Sequence, residues 1–153
     1  MFKFNIRVYG VLINEAGELL LSDEFEYNFN HTKLPGGGLE LGEGTRECLA
    51  REFMEECNLK IEVLEHIYTT DFYQKSAFND SQIISIYYRV KALEEYTFPT
   101  TNKVFDFEND PSLIFQQRFR WIPLKDLTAD CMTLPIDKVV ADIVFEKYFS
   151  YNS

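Results

Sequence analysis

Residues 34–59 have the sequence LPGGGLELGEGTRECLAREFMEECNL, and this stretch decides how the rest of the chain is interpreted. It opens with a proline and three glycines, Pro35 to Gly38, a composition typical of a tight, non-helical loop. It closes with a run of strong helix formers, for which Thr45 is the predicted N-cap. The stretch therefore predicts a glycine loop that leads into a helix.

The predicted helix has two chemically different faces. At about 100° per residue, Glu52, Glu55 and Glu56 stand at i, i+3 and i+4 and share one arc. A different arc is apolar and is expected to face the core: Leu49, Ala50, Phe53, Met54 and Cys57. The helix therefore concentrates carboxylates on the side that the core does not use.

Three carboxylates on one face repel one another, because like charges at i,i+4 destabilise a helix by a few tenths of a kcal/mol. Arg51 is one positive partner, but a single guanidinium cannot neutralise three carboxylates. A hard divalent cation can, and ligation by oxygen alone favours Mg²⁺ or Mn²⁺ over Zn²⁺. A glutamate run alone is more often a solvated helix face, but the glycine loop directly upstream favours a site.

The spacing of this stretch resembles the Nudix box, the motif of hydrolases that cleave a nucleoside diphosphate linked to another moiety. Gly37 is followed after five residues by Glu43, and after seven more by the triplet that begins at Arg51. The acidic pair then follows, and Asn58 stands where the family has glycine. Asparagine tolerates the left-handed conformation that ends helices, so this departure is mild.

The resemblance implies roles for individual residues. The implied metal ligands are carboxylates of the helix and oxygens of the residues before it: Glu52, Glu55, Glu56, Glu43 and the carbonyl of Gly36 or Gly37. The implied backbone contacts to substrate are Gly36, Gly37 and Gly38. Arg51 would orient the carboxylates through bidentate hydrogen bonds. Glu52 is one candidate for the general base, and Glu108, from another loop, is the other.

Outside the box the sequence predicts five strands and one further helix. The predicted strands cover 2–13, 18–22, 60–73, 82–93 and 118–122, and the helix covers 136–149. The first two strands are expected to form a hairpin around residues 14–17, and the next two are expected to form an antiparallel pair. Residues 23–33 are predicted to be a polar loop, and 94–117 a long irregular connection.

Several aromatic residues stand in the predicted loop 23–33. Beside a phosphate site, a ring such as Phe29 can stack on a nucleobase. The alternative is that these rings cover the edge of the core. His31, in the same loop, is interpreted as a surface or hydrogen-bonding residue rather than a catalyst.

Strands on both sides of one central helix, followed by a terminal helix, predict an α/β (α+β) fold with a mixed, partly antiparallel sheet between helical layers. This agrees with the α/β/α sandwich that the resemblance implies. A chain of 153 residues is expected to form one domain, residues 1–153.

Composition and charge exclude several classes of partner. A net charge of −10 without a basic stripe argues against a nucleic-acid polymer, whereas a small nucleotide remains compatible because bound cations invert the local field. An odd count of three cysteines fits no closed disulfide framework and indicates reduced thiols in the cytoplasm. Neither a signal peptide nor an apolar run long enough to span a membrane is expected.

The expected function is Mg²⁺-dependent hydrolysis of a phosphoanhydride bond. The alternative is a Nudix-fold binding or sensor module without turnover; the enzyme is favoured because every glutamate of the box is present. Subfamilies acting on ADP-ribose or on dinucleoside polyphosphates carry a downstream Pro or Tyr, where this chain has Gln74, Lys75 and Ser76. Nucleoside triphosphates and nucleoside diphosphate sugars both stay open as substrates. Domains that resemble this one often form homodimers.

Overall fold

The structure is a computed structural model that describes residues 3–149. In chain order its regular elements are β1 (Phe4–Leu12), β2 (Glu18–Glu26), β3 (Phe29–Lys33), β4 (Gly36–Gly38), α1 (Thr45–Cys57), β5 (Ile61–Thr69), β6 (Gln82–Ala92), β7 (Phe115–Pro123) and α2 (Pro135–Val144). Short 3₁₀ turns at Leu124–Asp126 and Ala129–Cys131 precede α2, and a π-helical turn at Phe145–Phe149 follows it. No helix within residues 3–149 combines the length and the apolar character that a membrane span requires.

The chain divides into two compact units. The first holds the chain up to Leu12 together with Pro35–Thr97, and the second holds Ile13–Leu34 together with the chain from Phe98 onwards. Each unit has its own sheet, so the predicted mixed α and β fold class is confirmed, with two sheets in place of one. Phe2, the first residue of the predicted strand 2–13, lies outside the described residues.

The first unit contains a four-stranded mixed sheet and helix α1. Its strand order is β4-β1-β6-β5, with β1 and β6 parallel and the other neighbours antiparallel. The predicted antiparallel pair from 60–73 and 82–93 is therefore confirmed as β5 and β6. Phe53 of α1 is buried and packs over Gly10 of β1, where a Cβ would lie 2.5 Å from the phenyl ring.

Helix α1 follows the predicted span but buries a narrower face. The buried side chains are Cys48, Leu49, Phe53 and Cys57. Ala50 and Met54 are exposed, contrary to prediction, because they lie at one edge of the predicted apolar arc, about 100° and 140° around the helix from the buried Leu49. The predicted N-cap is also wrong by one residue: Gly44 is the cap, and the Thr45 hydroxyl lies 2.7 Å from the Tyr88 hydroxyl.

Asn58 ends α1 in the left-handed conformation that the sequence predicts for it. Its φ and ψ are 48° and 43°, and its N–H donates to the carbonyls of Met54 and Phe53. Glycine adopts this conformation without a Cβ penalty. We expect Asn58→Gly to raise the free energy of unfolding by roughly 0.5 kcal/mol and Asn58→Ala to lower it by about 1 kcal/mol. Urea titration of the three proteins measures both changes, and an Asn58→Gly protein less stable than wild type would contradict the cap assignment.

The second unit contains a three-stranded antiparallel sheet of order β3-β2-β7, followed by α2. The predicted loop 23–33 is wrong: β2 continues to Glu26 and turns into β3 through Tyr27 and Asn28. These two residues have φ values of 52° and 58°, the positive pair that a two-residue hairpin turn of type I′ requires. The sequence did not predict this turn, because Tyr27 and Asn28 occupy the two positions where a glycine is usually found.

The predicted hairpin between the first two strands does not form. The turn itself is present, since Asn14 Oδ1 accepts the backbone N–H groups of Ala16 and Glu18. However, β1 pairs with β4 and β6, whereas β2 pairs with β3 and β7. Near the turn a single bridge joins Ile13 and Leu19. Pairings distant in sequence therefore override the local turn signal.

A buried ion pair holds the irregular segment after β6 against the second sheet. Asp23 of β2 is fully buried and accepts two hydrogen bonds from Arg120 of β7, at 2.7 and 3.1 Å. Its carboxylate also accepts the Thr32 hydroxyl at 2.7 Å and the Phe105 backbone N–H at 3.2 Å. Because buried charges are tolerated only when their hydrogen bonds are satisfied, this carboxylate fixes the position of Phe105.

His31 of β3 is buried, so of the two predicted alternatives, a surface residue or a hydrogen-bonding residue, the surface position is wrong. Burial lowers the pKa of its imidazole below the ordinary 6.5, and the neighbouring Glu24 opposes that shift. A depressed histidine pKa contributes stability above the unfolded value, and this contribution is lost as the pH falls below 6.5.

We therefore expect wild type to lose more unfolding free energy than His31→Gln when the pH falls from about 7.5 to about 5.5. Urea titrations at the two pH values measure the difference. His66→Gln is the matched control, because it makes the same substitution at the other of the two histidines, which is exposed on β5. Equal pH dependence in wild type and His31→Gln would refute the assignment.

Candidate functional site

The glycine run is a short strand rather than the predicted tight loop. Strand β4 pairs antiparallel with β1, with Gly37 opposite Val8. Gly36 has a φ of 147°, and a Cβ there would lie 2.1 Å from the Val8 carbonyl oxygen and 2.7 Å from Tyr9 Cα. Glycine is thus required at Gly36 both by its backbone conformation and by the close approach of β1.

Gly37 provides the space that the Glu52 side chain occupies. A Cβ on Gly37 would lie 2.5 Å from the Glu52 carboxylate carbon. The side chain of Glu52 is 13% exposed, so its carboxylate lies against the backbone of β4. The second glycine of the run therefore places a helix carboxylate directly beside the strand.

Arg51 is the centre of the acidic face of α1. Its guanidinium binds both oxygens of Glu43, with Nε at 3.0 Å and Nη2 at 2.7 Å. Nη1 donates to Glu52 at 3.0 Å and to Glu55 at 3.2 Å, and Nη2 also donates to the Gly38 carbonyl at 3.0 Å. The predicted orienting role of Arg51 thus has a geometric basis, because one guanidinium links three carboxylates to β4.

The hydrogen bonds between Arg51 and Glu43 determine the protonation states of both side chains. The hydrogen bonds from Arg51, supported by the Glu40 backbone N–H, lower the pKa of Glu43 to about 2. The same contacts, that with Glu43 first, raise the pKa of Arg51 above its ordinary value. Burial, reinforced by Glu43, raises the pKa of the neighbouring Cys48 to about 12. Arg51 and Glu43 therefore stay charged at neutral pH, while Cys48 stays a thiol and is no nucleophile.

Glu56 is directed at the glycine strand from the same helix face. Its Oε2 accepts the Gly36 backbone N–H at 3.3 Å. Glu55, one residue earlier, is exposed, with 57% of its side chain accessible. The structure thus brings Glu43, Glu52, Glu55 and Glu56 together around β4 and the acidic face of α1.

The chemistry of this donor set fits a hard divalent cation, because carboxylate and carbonyl oxygens are the ligands that such ions prefer. The side chains are directed at protein partners, however: Glu52 and Glu55 at Arg51, and Glu56 at Gly36. Within residues 3–149, ligand atoms of three His, Cys, Asp or Glu residues lie within 4.8 Å of one another in one group only, which is not on α1. Metal ligation by the box therefore requires its carboxylates to turn towards a shared point.

That group consists of Glu24, Glu26 and His31 in the second unit. Lys33 already supplies positive charge there, with its Nζ 3.2 Å from Glu24 Oε2. The Ser22 hydroxyl donates to the same oxygen at 2.8 Å. This ionic cluster was not predicted, because all of its residues but Ser22 were assigned to a polar loop, and the polar run 22–24 carries no strand signal.

The two remaining predicted site residues belong to the second unit. Phe29 lies on β3, is 36% exposed and stacks on His31 at a centroid distance of 5.6 Å. Glu108 lies in the irregular segment before β7, with Arg118 Nη2 3.8 Å from its carboxylate. Their proposed roles in base stacking and proton transfer stay predictions.

Comparison with known proteins matches the NUDIX domain to residues 3–143. A NUDIX hydrolase from Nitrosomonas europaea is 17% identical with a TM-score of 0.68, over 95% of this chain and 91% of that one. MutT protein from Methanosarcina mazei Go1 is 22% identical with a TM-score of 0.63, over 99% and 97%. An ADP-ribose pyrophosphatase from Streptococcus suis is 17% identical with a TM-score of 0.57, over 97% and 92%. At these identities the solved structures show a shared fold.

Proposed function

Since this chain belongs to the Nudix family, we propose that it catalyses the Mg²⁺-dependent hydrolysis of a phosphoanhydride bond in a nucleoside diphosphate linked to another moiety. Membership makes the chain an enzyme of the pyrophosphohydrolase class. The observation that carries the finer proposal is the Arg51 network, which gathers three carboxylates beside a strand without side chains. Such a surface offers oxygen ligands to divalent cations, which in turn bind a pyrophosphate.

Hydrolysis of a phosphoanhydride requires positioning and charge neutralisation more than covalent help from the protein. A bound Mg²⁺, or Mn²⁺ in its place, supplies a Lewis acid and lowers the pKa of water. The residues that would hold it are oxygen donors of α1 and its approach: Glu52, Glu55, Glu56, Glu43 and the carbonyl of Gly37.

The residues of the chain itself have separate proposed roles in orienting the carboxylates, admitting the phosphate and accepting a proton. Arg51 keeps Glu43 ionised and donates hydrogen bonds to Glu52 and Glu55. These bonds hold the carboxylates on the acidic face of α1. Gly38 leaves room for a phosphate group, because the atom nearest to its Cβ position is Arg7 Nη1 at 3.7 Å. At Gly36 and Gly37 that space is filled by β1 and by Glu52, so their proposed substrate contacts are made by backbone groups alone. For the proton of the attacking water, Glu52 is the candidate within this unit, and Glu108 is the alternative.

The substrate proposal covers nucleoside triphosphates and nucleoside diphosphate sugars. Proteins that share this fold include an ADP-ribose pyrophosphatase and a UDP-X diphosphatase, so the fold accommodates different nucleoside diphosphate derivatives. A panel of both substrate classes, incubated with Mg²⁺ or Mn²⁺ and analysed by product chromatography, tests the proposal. We expect metal-dependent release of a mononucleotide from at least one class. Nucleotide binding without any turnover would favour the sensor alternative.

We further propose that residues 1–153 act as one domain on a small nucleotide in the cytoplasm. The match over residues 3–143 supports one domain, and the odd cysteine count favours a reducing compartment. A homodimer is the oligomer we propose, and light scattering of the purified protein tests it.

A further inference from the structure

A cavity of about 930 Å³ opens in the second unit, between the β2–β3 hairpin and the irregular segment that leads into β7. Apart from Glu108, none of its lining residues has a role in the proposed reaction. Its walls combine two features, a set of carboxylates and a set of phenyl rings. Together they indicate the chemistry of a ligand.

The carboxylates make the cavity electronegative. Glu26, Glu108 and Asp110 line it, and no Lys, Arg or His is present among the described residues of the lining. Arg118 is not part of the lining, but its Nη2 lies 3.8 Å from the Glu108 carboxylate and donates to Gln116 Oε1 at 3.5 Å, so it partly offsets the charge of Glu108. Hydrogen bonds from the Ser112 hydroxyl and N–H lower the pKa of Asp110, which keeps it charged. A phosphate group would be repelled here, whereas a cation would be attracted.

Three phenyl rings form one wall of the cavity. Phe107 stacks on Phe105 at a centroid distance of 5.9 Å and lies 6.3 Å from Phe25. The faces of aromatic rings carry negative charge density and attract cations within about 6 Å. The wall therefore adds a second attraction for positive charge, and it also provides apolar contact for an aliphatic frame.

The wall is held in place by hydrogen bonds of its backbone. The Phe105 N–H donates to the buried Asp23, and the Gln116 side chain both accepts from the Glu108 N–H at 2.8 Å and donates to the Glu108 carbonyl at 3.0 Å. A pre-organised wall loses little freedom when a ligand binds. The lining carboxylates do not converge on one metal ion: within residues 3–149, Glu26 has its close ligand atoms in Glu24 and His31, not in Glu108 or Asp110.

We propose that this cavity binds a small organic cation, an ammonium group on an aliphatic frame, through the Phe25, Phe105 and Phe107 wall and the carboxylates in the same lining. The inference goes beyond phosphoanhydride hydrolysis and does not depend on it. Both quaternary ammonium compounds and primary amines have the required chemistry, and the experiment distinguishes them.

The direct test compares choline with 3,3-dimethyl-1-butanol, which has the same shape but no charge. In calorimetric titrations we expect saturable binding of choline and at least a five-fold weaker interaction of the neutral alcohol, about what a cation–aromatic contact provides. The choline methyl protons should also shift upfield in NMR spectra, because they lie over ring faces. A parallel titration with butylamine identifies which class of ammonium binds more tightly.

Two variants locate the binding. Phe107→Leu keeps an apolar side chain without a ring face, and Asp110→Asn removes one charge of the lining at nearly constant volume while its amide oxygen can still accept from Ser112. Each should weaken choline binding by about two- to five-fold, with a smaller effect on the neutral alcohol. Glu15→Gln is the matched control, because Glu15 is exposed in the same unit outside the cavity.

Equal affinity for choline and the neutral alcohol would overturn the proposal. The proposal would also be overturned if neither choline nor butylamine bound at concentrations of about 100 mM, which lie far above the dissociation constants of specific ligands. The comparison of the two ligands uses the wild-type protein, so it stays decisive even where a variant fails to fold.

Discussion

Glu56→Gln is expected to reduce kcat for metal-dependent hydrolysis by more than about 100-fold, a larger effect than the loss of an outer partner produces. Glutamine keeps the size of the side chain and its amide oxygen can still accept the Gly36 N–H, but the negative charge is lost. A neutral amide is a poorer ligand for a hard divalent cation than a carboxylate. The fold should persist, because Glu56 is not part of the apolar core of α1.

Circular dichroism and urea unfolding verify the fold, and steady-state kinetics with Mg²⁺ measure the loss. Glu62→Gln is the matched control, since Glu62 is an exposed glutamate of β5 in the same unit. It should retain wild-type kcat. Full turnover by Glu56→Gln would refute the ligand role of Glu56, and an equal loss in both variants would point to net charge rather than to the site.

Gly36→Ala is expected to lower the free energy of unfolding by roughly 3 kcal/mol or more. The added methyl group would lie 2.1 Å from the Val8 carbonyl oxygen, which is backbone and cannot rotate away. The φ of 147° adds strain for any residue with a Cβ. Strand β4 must therefore separate from β1, and activity should fall with it because β4 carries the Gly37 and Gly38 contacts of the acidic face.

Gly42→Ala separates the two causes. Gly42 also has a positive φ, 90°, but a Cβ there meets nothing within 4 Å. Its substitution should therefore show the conformational penalty alone, about 1 kcal/mol. Guanidinium or urea titrations of both variants measure the difference. If the two alanine variants lose equal stability, the close approach of β1 is not what requires glycine at position 36.

The sequence was most informative where structure is local. The 3.6-residue period predicted the helix that forms α1, and the Nudix spacing pointed to Arg51 and Glu43, which the structure joins by two hydrogen bonds. The sequence could not show that Gly36 is needed because β1 lies against it, since β1 is distant in the chain. For the same reason the pairing of β1 with β6 was missed in favour of a local hairpin.

Buried charges were the second source of error. Asp23 and Glu24 follow an apolar run and were assigned to a solvated loop, but each lies buried beside a cation on the sheet. An ion pair lets a charged residue occupy a strand interior, so hydrophobicity alone misplaces it. The β2–β3 hairpin was also not predicted because its turn, Tyr27 and Asn28, contains no glycine.

In the proposed reaction, the acidic face of α1 binds the divalent cation that holds the pyrophosphate of the substrate. The most direct test is a crystal structure with Mn²⁺ and a non-hydrolysable nucleotide, in which anomalous scattering locates the metal. We predict a peak within about 2.5 Å of carboxylate oxygens of Glu52 and Glu56, as oxygen ligation requires. A Mn²⁺ peak at Glu24, Glu26 and His31 with none on α1, beside a bound nucleotide, would contradict the account.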